Sequence, residues 1–295
     1  MNKKKIFLWA ADYSNESGEG NLARKFVKKI LKREKFTIVS LGKKNTFNHK
    51  YISPFFGIFH CWKNYLKGNR VGYLNYLPLW NFFIFLFLPP KSIIGPITGG
   101  AKFNKIDKLN YLMRKFIFPI LYYLSNIIIN LRFEKTLFST DLLKNYLSKE
   151  IKRKSKFNFV LQDFKYCKKV KKNIDFLIYY RLHKNKVSFF NTDLISELVK
   201  SKYRIYIVGD KLNMKGVKNL GYIKNKRLKK LQAISRFTIC SEENVYSLFI
   251  LECISNHVKV LVDKKSTKKI KLFKGKFLFF DFSKLQNMKK KIKKR

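Results

Sequence analysis

The 295-residue sequence lacks the residue patterns by which a small protein holds a structural metal or a disulfide framework. Its 4 cysteines are scattered without Cys-x-x-Cys spacing, and its 4 histidines show no spacing typical of zinc ligands. An Asp-x-Asp motif, which would offer two carboxylates to a divalent metal, is also absent from the sequence. We therefore predict neither a metal nor a cofactor, and the scattered cysteines favour a reducing, cytoplasmic environment.

Acidic residues are scarce. The chain has 18 Asp and Glu against 65 Lys and Arg, which gives a formal net charge of +47. Such a charge favours polyanion partners. However, only 11 of the basic residues are arginines, the side chain that recognises phosphates and bases bidentately, and the lysines occur in every segment. We therefore predict no specific nucleic-acid partner. We expect attraction to an anionic membrane surface, because each nearby Lys or Arg contributes about 1 kcal/mol.

Long apolar runs without interruption are also missing. The twenty uncharged residues between Arg70 and Lys91 approach the length of a bilayer span. One internal proline and two asparagines interrupt them, and the apolar core Phe82–Leu88 has only seven residues, which favours a buried or interface-lying helix. We predict peripheral attachment to the inner face of the cell membrane through the basic surface and the segment Tyr76–Leu88, released by high salt. A spanning helix is the alternative.

Short apolar strands alternate with helical patterns in both halves of the chain, which predicts an α/β fold with two doubly wound sheets. The charged run Lys149–Lys156 has few core residues and marks the predicted domain boundary. The expected domains are 1–152 and 153–284, followed by a basic tail, 285–295. Predicted strands cover 5–10, 36–41, 158–162, 175–180, 202–210, 237–240, 258–262 and 276–282. Predicted helices cover 22–31, 131–148, 228–234 and 247–256.

The run Arg236–Asp263 is typical of a strand, loop, helix and strand that form a parallel crossover. Its loop, Ser-Glu-Glu-Asn, would lie outside the carboxyl end of a strand and before a helix N-terminus, which suits a phosphate group. Asn244 and Glu252 are eight positions apart, a separation of roughly 12 Å along a helix and close to the length of a nucleotide diphosphate sugar. An ordinary helix capped at Asn244 or Ser247, with a solvated glutamate, fits the same spacing.

This run resembles the donor-binding element of group 1 retaining glycosyltransferases, in which two glutamates eight residues apart flank a glycine-rich turn. Glu252 matches the second glutamate, whereas Asn244 stands in place of the first. The resemblance implies a GT-B fold, two Rossmann-like domains facing a cleft. It also implies that Asn244 contacts the sugar, that the helix N-terminus at Ser247 and Leu248 meets the diphosphate, and that Glu252 binds the ribose hydroxyls.

Arg181 and Lys186 directly follow the apolar strand 175–180, which places them at the carboxyl edge of the second sheet. Two cations at this edge can clamp a diphosphate, and the family that the chain resembles carries an Arg and a Lys here for that purpose. A chance pair is the alternative in so basic a chain. His183, between them, fits a loop residue better than a catalytic base.

Glycines mark two turns in the first half. Gly18 and Gly20 precede the helix predicted at 22–31, where backbone N–H groups could approach an acceptor or a diphosphate. Gly95, Gly99 and Gly100 belong to a segment that resembles the Gly-Pro-x-Gly-Gly turn of the same family, which lines the cleft on the acceptor side. Without the resemblance, both segments are simple connections.

The resemblance implies a transferase that moves a sugar from a nucleotide diphosphate sugar to a lipid-linked or surface-polysaccharide acceptor, such as lipopolysaccharide, with retention of configuration. Because the sequence has no Asp-x-Asp motif, we predict that transfer is metal-independent. It names no catalytic nucleophile in this chain. The alternative is a non-catalytic protein that binds a membrane surface or a polyanion and is built on a decayed transferase fold, because Asn244 departs from the motif and the chain is short.

Overall fold

The computed structural model describes residues 5–15, 17–31, 34–40, 52–99, 108–159, 161, 164–182, 191–240, 245–282 and 292. The chain divides into two compact α/β units, residues 1–162 and 163–295. The predicted boundary after residue 152 falls inside the helix Lys149–Lys154, and Ile151 of this helix is buried in the core of the first unit. The division of the structure therefore lies ten residues beyond the predicted one.

Strands and helices are numbered separately along the described chain. The strands are β1 Ile6–Ala10, β2 Phe36–Ser40, β3 Arg70–Pro78, β4 Ile93–Thr98, β5 Thr136–Leu137, β6 Ser155–Lys156, β7 Ile174–Tyr180, β8 Ile205–Gly209, β9 Val217–Asn219, β10 Ser235–Ile239, β11 Lys259–Asp263 and β12 Phe277–Phe280. The helices are α1 Gly18–Ile30, α2 Ser53–Tyr65, α3 Phe82–Phe87, α4 Lys108–Leu112, α5 Phe118–Arg132, α6 Lys149–Lys154, α7 Thr192–Lys200, α8 Asn225–Ile234 and α9 Leu248–Ser255. A π-helical turn, Met113–Ile117, joins α4 to α5.

The main sheet of the first unit is parallel, with the strand order β2-β1-β3-β4. Right-handed crossovers place α1 on one face of this sheet and α2 and α3 on the other, because the chain reverses direction across β1. Gly57 of α2 packs so closely on β1 and β3 that an added Cβ would lie 2.6 Å from the ring of Trp9. Helix α5 packs against α3 and joins the layer formed by α2 and α3.

The second unit contains a six-stranded parallel sheet with the order β12-β11-β10-β7-β8-β9. Its strands are rich in Ile, Val, Leu and Phe, and most of their side chains are buried because helices cover both faces of a doubly wound parallel sheet. The predicted α/β class with two parallel, doubly wound sheets is confirmed.

Two predicted elements of the first unit are wrong. The helix predicted at 131–148 is absent, because α5 ends at Arg132 and the chain then forms β5 and a short 3-10 turn. Lys154 explains this end, since its Nζ donates to the carbonyl oxygens of Ile129, Asn130 and Phe133 at 2.8 to 3.1 Å. No strand forms among the described residues of 158–162, where Asn158 has a φ of 51° and Phe159 packs on Phe26 of α1.

The uncharged run after Arg70 also differs from its prediction. Its first half forms β3, and only Phe82–Phe87 is helical. Of the predicted membrane segment, Leu77, Leu79 and Phe85 are fully buried in the core of the first unit. Within the described ranges, every helix falls short of the length and apolarity that crossing a membrane would require.

Candidate functional site

The order of the second sheet creates a switch point between β7 and β10. From β7 the chain proceeds outward to β8 and β9, and it then returns to form β10, β11 and β12 on the opposite side. Strands β7 and β10 are neighbours, with Phe176 paired to Phe237. In open parallel sheets, ligands bind outside the carboxyl ends of the strands where the winding direction reverses. The residues after β7 and β10 therefore line the candidate site.

Arg181 directly follows β7 and is exposed. The turn that carries it is fixed by Asp210, which follows β8: the backbone N–H of Leu182 donates to Asp210 Oδ2 at 2.7 Å, and the Tyr222 hydroxyl donates to Oδ1 at 2.7 Å. The Tyr222 hydrogen bond lowers the pKa of Asp210 most, and the Leu182 N–H and the charge of Arg181 lower it further. Among the described carboxylates, none lies within ion-pair distance of Arg181, so its guanidinium can accept an anionic ligand.

Helix α9 follows β10 in the chain. Ser247 caps it, because its Oγ accepts the backbone N–H of Ile250 at 3.3 Å, and the first turn contains no acidic residue. Leu248 is the first helical residue. The N-terminus of α9 thus retains its partial positive charge at the carboxyl end of β10.

A ring contact joins the two elements. Tyr179 of β7 lies 5.5 Å from Phe249 of α9, measured between ring centroids. Tyr179 is two residues before Arg181, and Phe249 is two residues after the cap. Arg181 and the N-terminus of α9 therefore both belong to the carboxyl edge of the sheet, and the Tyr179–Phe249 contact joins β7 to the first turn of α9.

Glu252 lies one turn further along α9 and is partly buried. Its Oε2 accepts a hydrogen bond from Gln232 Nε2 of α8 at 3.4 Å. Gln232 is completely buried, and its Oε1 has no partner. The Glu252 charge also contributes to raising the pKa of the Cys253 thiol, after the larger effect of burial. Gln232 therefore restricts where the Glu252 carboxylate can lie.

The remaining donor residues of the prediction, Lys186 and Asn244, lie outside the described residues, as does His183. Of the cleft glycines, Gly100 is also outside them. Helix α1 begins at Gly18 and not at residue 22, because Ser17 caps it by accepting the N–H of Gly20 at 2.8 Å. Gly18 and Gly20 therefore form its first turn.

Of the predicted cleft glycines, Gly20, Gly95 and Gly99 pack closely against residues of the first unit. An added Cβ at Gly20 would lie 2.2 Å from the carbonyl oxygen of Ser14, so only glycine fits there. At Gly95 a Cβ would lie 2.7 Å from the Phe26 ring, and at Gly99 it would lie 2.8 Å from a Leu143 methyl group. Their contact with an acceptor stays a prediction.

The first sheet has its own switch point, between β1 and β3. Asp12 follows β1 and accepts hydrogen bonds from the Ser14 N–H at 2.8 Å and from the Ser17 hydroxyl. Asn75 of β3, fully buried with a φ of 42°, bonds the backbone of Asp12 and donates to the carbonyl oxygen of Glu19 at 3.3 Å. The chain's own polar groups fill this position.

Solved structures of similar fold include the following three proteins. HepE from Anabaena, solved with UDP-glucose, gives a TM-score of 0.55 at 11% identity, covering 99% of this chain and 89% of HepE. An alpha-glucosyltransferase solved with UDP-glucose and DNA containing an abasic site gives 0.55 at 11% identity, covering 99% and 90%. The UDP-GlcNAc 2-epimerase of Methanocaldococcus jannaschii, solved with UDP-GlcNAc and UDP, gives 0.50 at 11% identity, covering 98% and 92%.

No protein-family model and no curated protein sequence matches the chain. The likeness at such low identity is one of fold, and it extends over nearly the whole chain. The chain has the GT-B fold. The GT-B fold was implied by the resemblance at Asn244–Glu252, and the two parallel sheets agree with it.

Three residues of this GT-B chain were not assigned to the site from sequence. Asp210 and Tyr222 fix the turn after β7, and Gln232 contacts Glu252. The Gly209-Asp210 pair after a buried strand carries the same signal that identified Arg181, a polar residue directly beyond a strand end. Gln232 and Tyr222 offered no such signal, because only the packing of the unit reveals their partners.

Proposed function

We propose that the protein is a glycosyltransferase that binds a nucleotide diphosphate sugar at the carboxyl ends of β7 and β10. The observation that supports this proposal is the Tyr179–Phe249 contact, which joins the end of β7, two residues before Arg181, to the first turn of α9. A diphosphate placed there meets a guanidinium and free helix N–H groups without a competing carboxylate in the first turn. In this proposal Glu252, one turn along α9, binds the ribose hydroxyls.

The proposed chemistry depends on charge that develops at the diphosphate as the glycosidic bond breaks. Arg181 and the α9 N-terminus stabilise the departing diphosphate more strongly than the intact donor, which lowers the barrier. Lys186 belongs to the same proposed clamp, and Asn244 belongs to the sugar contact. We propose that transfer retains the anomeric configuration and needs no divalent metal, with a lipid-linked or surface-polysaccharide acceptor at an anionic membrane surface.

The solved structures of similar fold support a nucleotide-sugar ligand. HepE and the alpha-glucosyltransferase were solved with UDP-glucose. The 2-epimerase was solved with UDP-GlcNAc and UDP, so isomerisation of a nucleotide sugar is a second candidate for this fold. A non-catalytic protein on a decayed transferase fold is the third, and it would bind no donor.

A panel of nucleotide sugars separates these functions. Isothermal calorimetry with UDP, ADP, GDP and CDP first identifies the nucleotide, and the purified chain is then incubated with the matching nucleotide sugars. Release of nucleoside diphosphate, by slow hydrolysis or by transfer to an added acceptor, supports the transferase. A new nucleotide-sugar epimer without release supports the isomerase. Absence of binding heat at millimolar nucleotide would overturn both enzyme functions.

A further inference from the structure

The outward side of the helical layer on the first sheet is apolar. Helices α2, α3 and α5 each bury one stripe of side chains and expose another that is also apolar. We define the apolar face by six exposed residues, two from each helix: Phe55, Phe59, Phe83, Phe87, Ile120 and Ile127. A helix on the surface of a water-soluble domain normally presents polar residues on this side, so the exposed stripes need a partner.

Helix α2 shows the two stripes most clearly. Gly57 and Cys61 point toward the sheet and are buried, whereas Phe55 and Phe59 are 67% and 68% exposed. The exposed pair lies four residues apart and therefore on one side of the helix. The same holds in α5, where Tyr122 and Ile129 are buried and Ile120 and Ile127 are exposed.

Contacts between the helices make the three stripes one surface. The Trp62 indole of α2 donates to the carbonyl oxygen of Phe87 at 2.7 Å, and the Arg132 guanidinium of α5 donates to that of Leu86 at 2.6 Å. Trp80, just before α3, stacks on Phe118 of α5 with ring centroids 5.6 Å apart. Because all three helices cover the same face of the sheet, their outward stripes adjoin. Isolated apolar residues are common on surfaces, but a contiguous patch marks an interaction site.

Charge identifies the partner. Between Ile52 and Phe133 the sequence contains ten basic residues and a single acidic one, Asp107. In α2 and in the helical run from α4 to α5, the ionisable residues are cations or neutral. Arg114 lies over the partly buried ring of Phe118, and Lys115 lies over the exposed ring of Phe116. A second copy of the chain would bring the same cations against them, on a protein of net charge +47. An anionic lipid bilayer offers both the apolar interior and the opposite charge.

We propose that the apolar face inserts into the boundary between headgroups and acyl chains of an anionic bilayer. This deepens the membrane association proposed above and rests on it, but it is independent of the donor site. It also changes the attachment expected from sequence, because apolar side chains from three helices enter the membrane and not the segment Tyr76–Leu88 alone. High salt then weakens binding but leaves the part due to insertion.

Flotation with vesicles tests the surface. The wild-type chain should float with phosphatidylglycerol-containing vesicles at low salt, and a substantial bound fraction should persist at 1 M NaCl. The double variants Phe55→Gln/Phe59→Gln and Ile120→Gln/Ile127→Gln should each lower vesicle affinity by about tenfold, and more in combination. A matched control, Val170→Gln/Leu272→Gln, replaces exposed apolar residues of the second unit and should bind as wild type does. Equal loss in the control, or complete release of wild type by salt, would overturn insertion.

Fluorescence quenching and a test for dimerisation complete the experiment. Trp80 borders the apolar face and is 37% exposed, so lipids brominated in their acyl chains should quench tryptophan fluorescence, and Trp80→Phe should remove much of the quenching. Lack of quenching in the wild type would overturn the proposal. A concentration-dependent dimer dissolved by the Phe55→Gln/Phe59→Gln variant would also overturn it. Since these vesicles contain neither donor nor acceptor, failure here leaves the transferase proposal to its own test.

Discussion

The switch points of the two sheets have the same topology and opposite electrostatics. In the first sheet, the Asp12 carboxylate, capping Ser17 and the Asn75 amide fill the space between β1 and the start of α1. In the second sheet, α9 begins without an acidic residue in its first turn, and Arg181 is exposed directly after β7. The first position is a structural joint, and the second is where we propose that an anionic ligand binds.

The difference follows from which group meets the helix N-terminus. A helix carries about half a positive charge at this end, and either a protein carboxylate or a ligand phosphate can satisfy it. Helix α1 has Glu19 in its first turn and Asp12 bonded to its cap. Among the described residues, helix α9 has at this end the Ser247 hydroxyl, which accepts one N–H. Topology alone therefore does not distinguish the two switch points, and our proposal of a binding site at the second one depends on the charge of its residues.

The largest effect is expected from Asp12→Ala. This change leaves the Ser14 N–H and the Ser17 hydroxyl without their acceptor in a buried joint, and we expect it to lower the free energy of unfolding by about 3 kcal/mol. All 3 tryptophans, Trp9, Trp62 and Trp80, belong to the first unit, so tryptophan fluorescence in urea reports on that unit. Asp12→Asn, which keeps one acceptor oxygen, should cost less. Unchanged stability in Asp12→Ala would contradict the structural role of the first switch point. Loss of nucleotide affinity in the folded variant would contradict the assignment of ligand binding to the second switch point alone.

Arg181→Ala should have the next largest effect, at the other switch point. Loss of a charge-assisted contact to the diphosphate should weaken nucleotide binding about 30-fold, or about 2 kcal/mol, and lower kcat as well as raise KM. The unfolding transition should be unaffected, because the side chain is exposed. The matched control is Arg204→Ala at the amino end of β8, which removes only an exposed pair with Asp175 at 3.8 Å. Equal affinities of the two variants would remove Arg181 from the site.

Glu252→Gln should have a smaller effect. The amide retains the shape of the side chain and a contact with Gln232, so the unit should fold normally, but it replaces the charged acceptor for the ribose hydroxyls. We expect about a tenfold rise in the donor KM, measured by initial rates at varied donor. Glu197→Gln on α7, which loses an exposed pair with Lys200 at 2.8 Å, is the control. A donor KM equal to that of the wild type would exclude the ribose contact.

The second unit was predicted more accurately from sequence than the first. Strands β7 and β11 and helix α9 lie within one or two residues of their predicted bounds, since short β-branched runs and one amphipathic stripe define them locally. In the first unit, β3 went unrecognised because its alternation is interrupted at Asn75, where the pairing register shifts. The end of α5 depends on a partner distant in sequence, Lys154, which donates to the last carbonyl groups of that helix.

The candidate site divides in the same way. Arg181 and Ser247 could be named because a polar residue directly after a buried strand, or at a helix start, is visible in the sequence. Asp210 could have been named by the same rule. Gln232 could not, because it is a polar residue buried between two helices, and only the packing of α8 on α9 brings it to Glu252. The Asp12 and Asn75 joint also required the structure, since the two residues are 63 positions apart.

The smallest expected effect is that of divalent metal on the rate. A departing nucleoside diphosphate must meet positive charge in the transition state. In our proposal this charge comes, at the second switch point, from Arg181, from the N-terminus of α9 and from Lys186. We therefore expect initial rates in EDTA and in added magnesium or manganese to agree within about twofold, in contrast to the 30-fold effect expected for Arg181→Ala. Lys186→Ala should reduce the rate less than Arg181→Ala, because a flexible ammonium is more easily replaced by a neighbouring lysine. If EDTA abolishes transfer and manganese restores it, a metal supplies the charge, and the electrostatic contrast between the two switch points does not explain the chemistry.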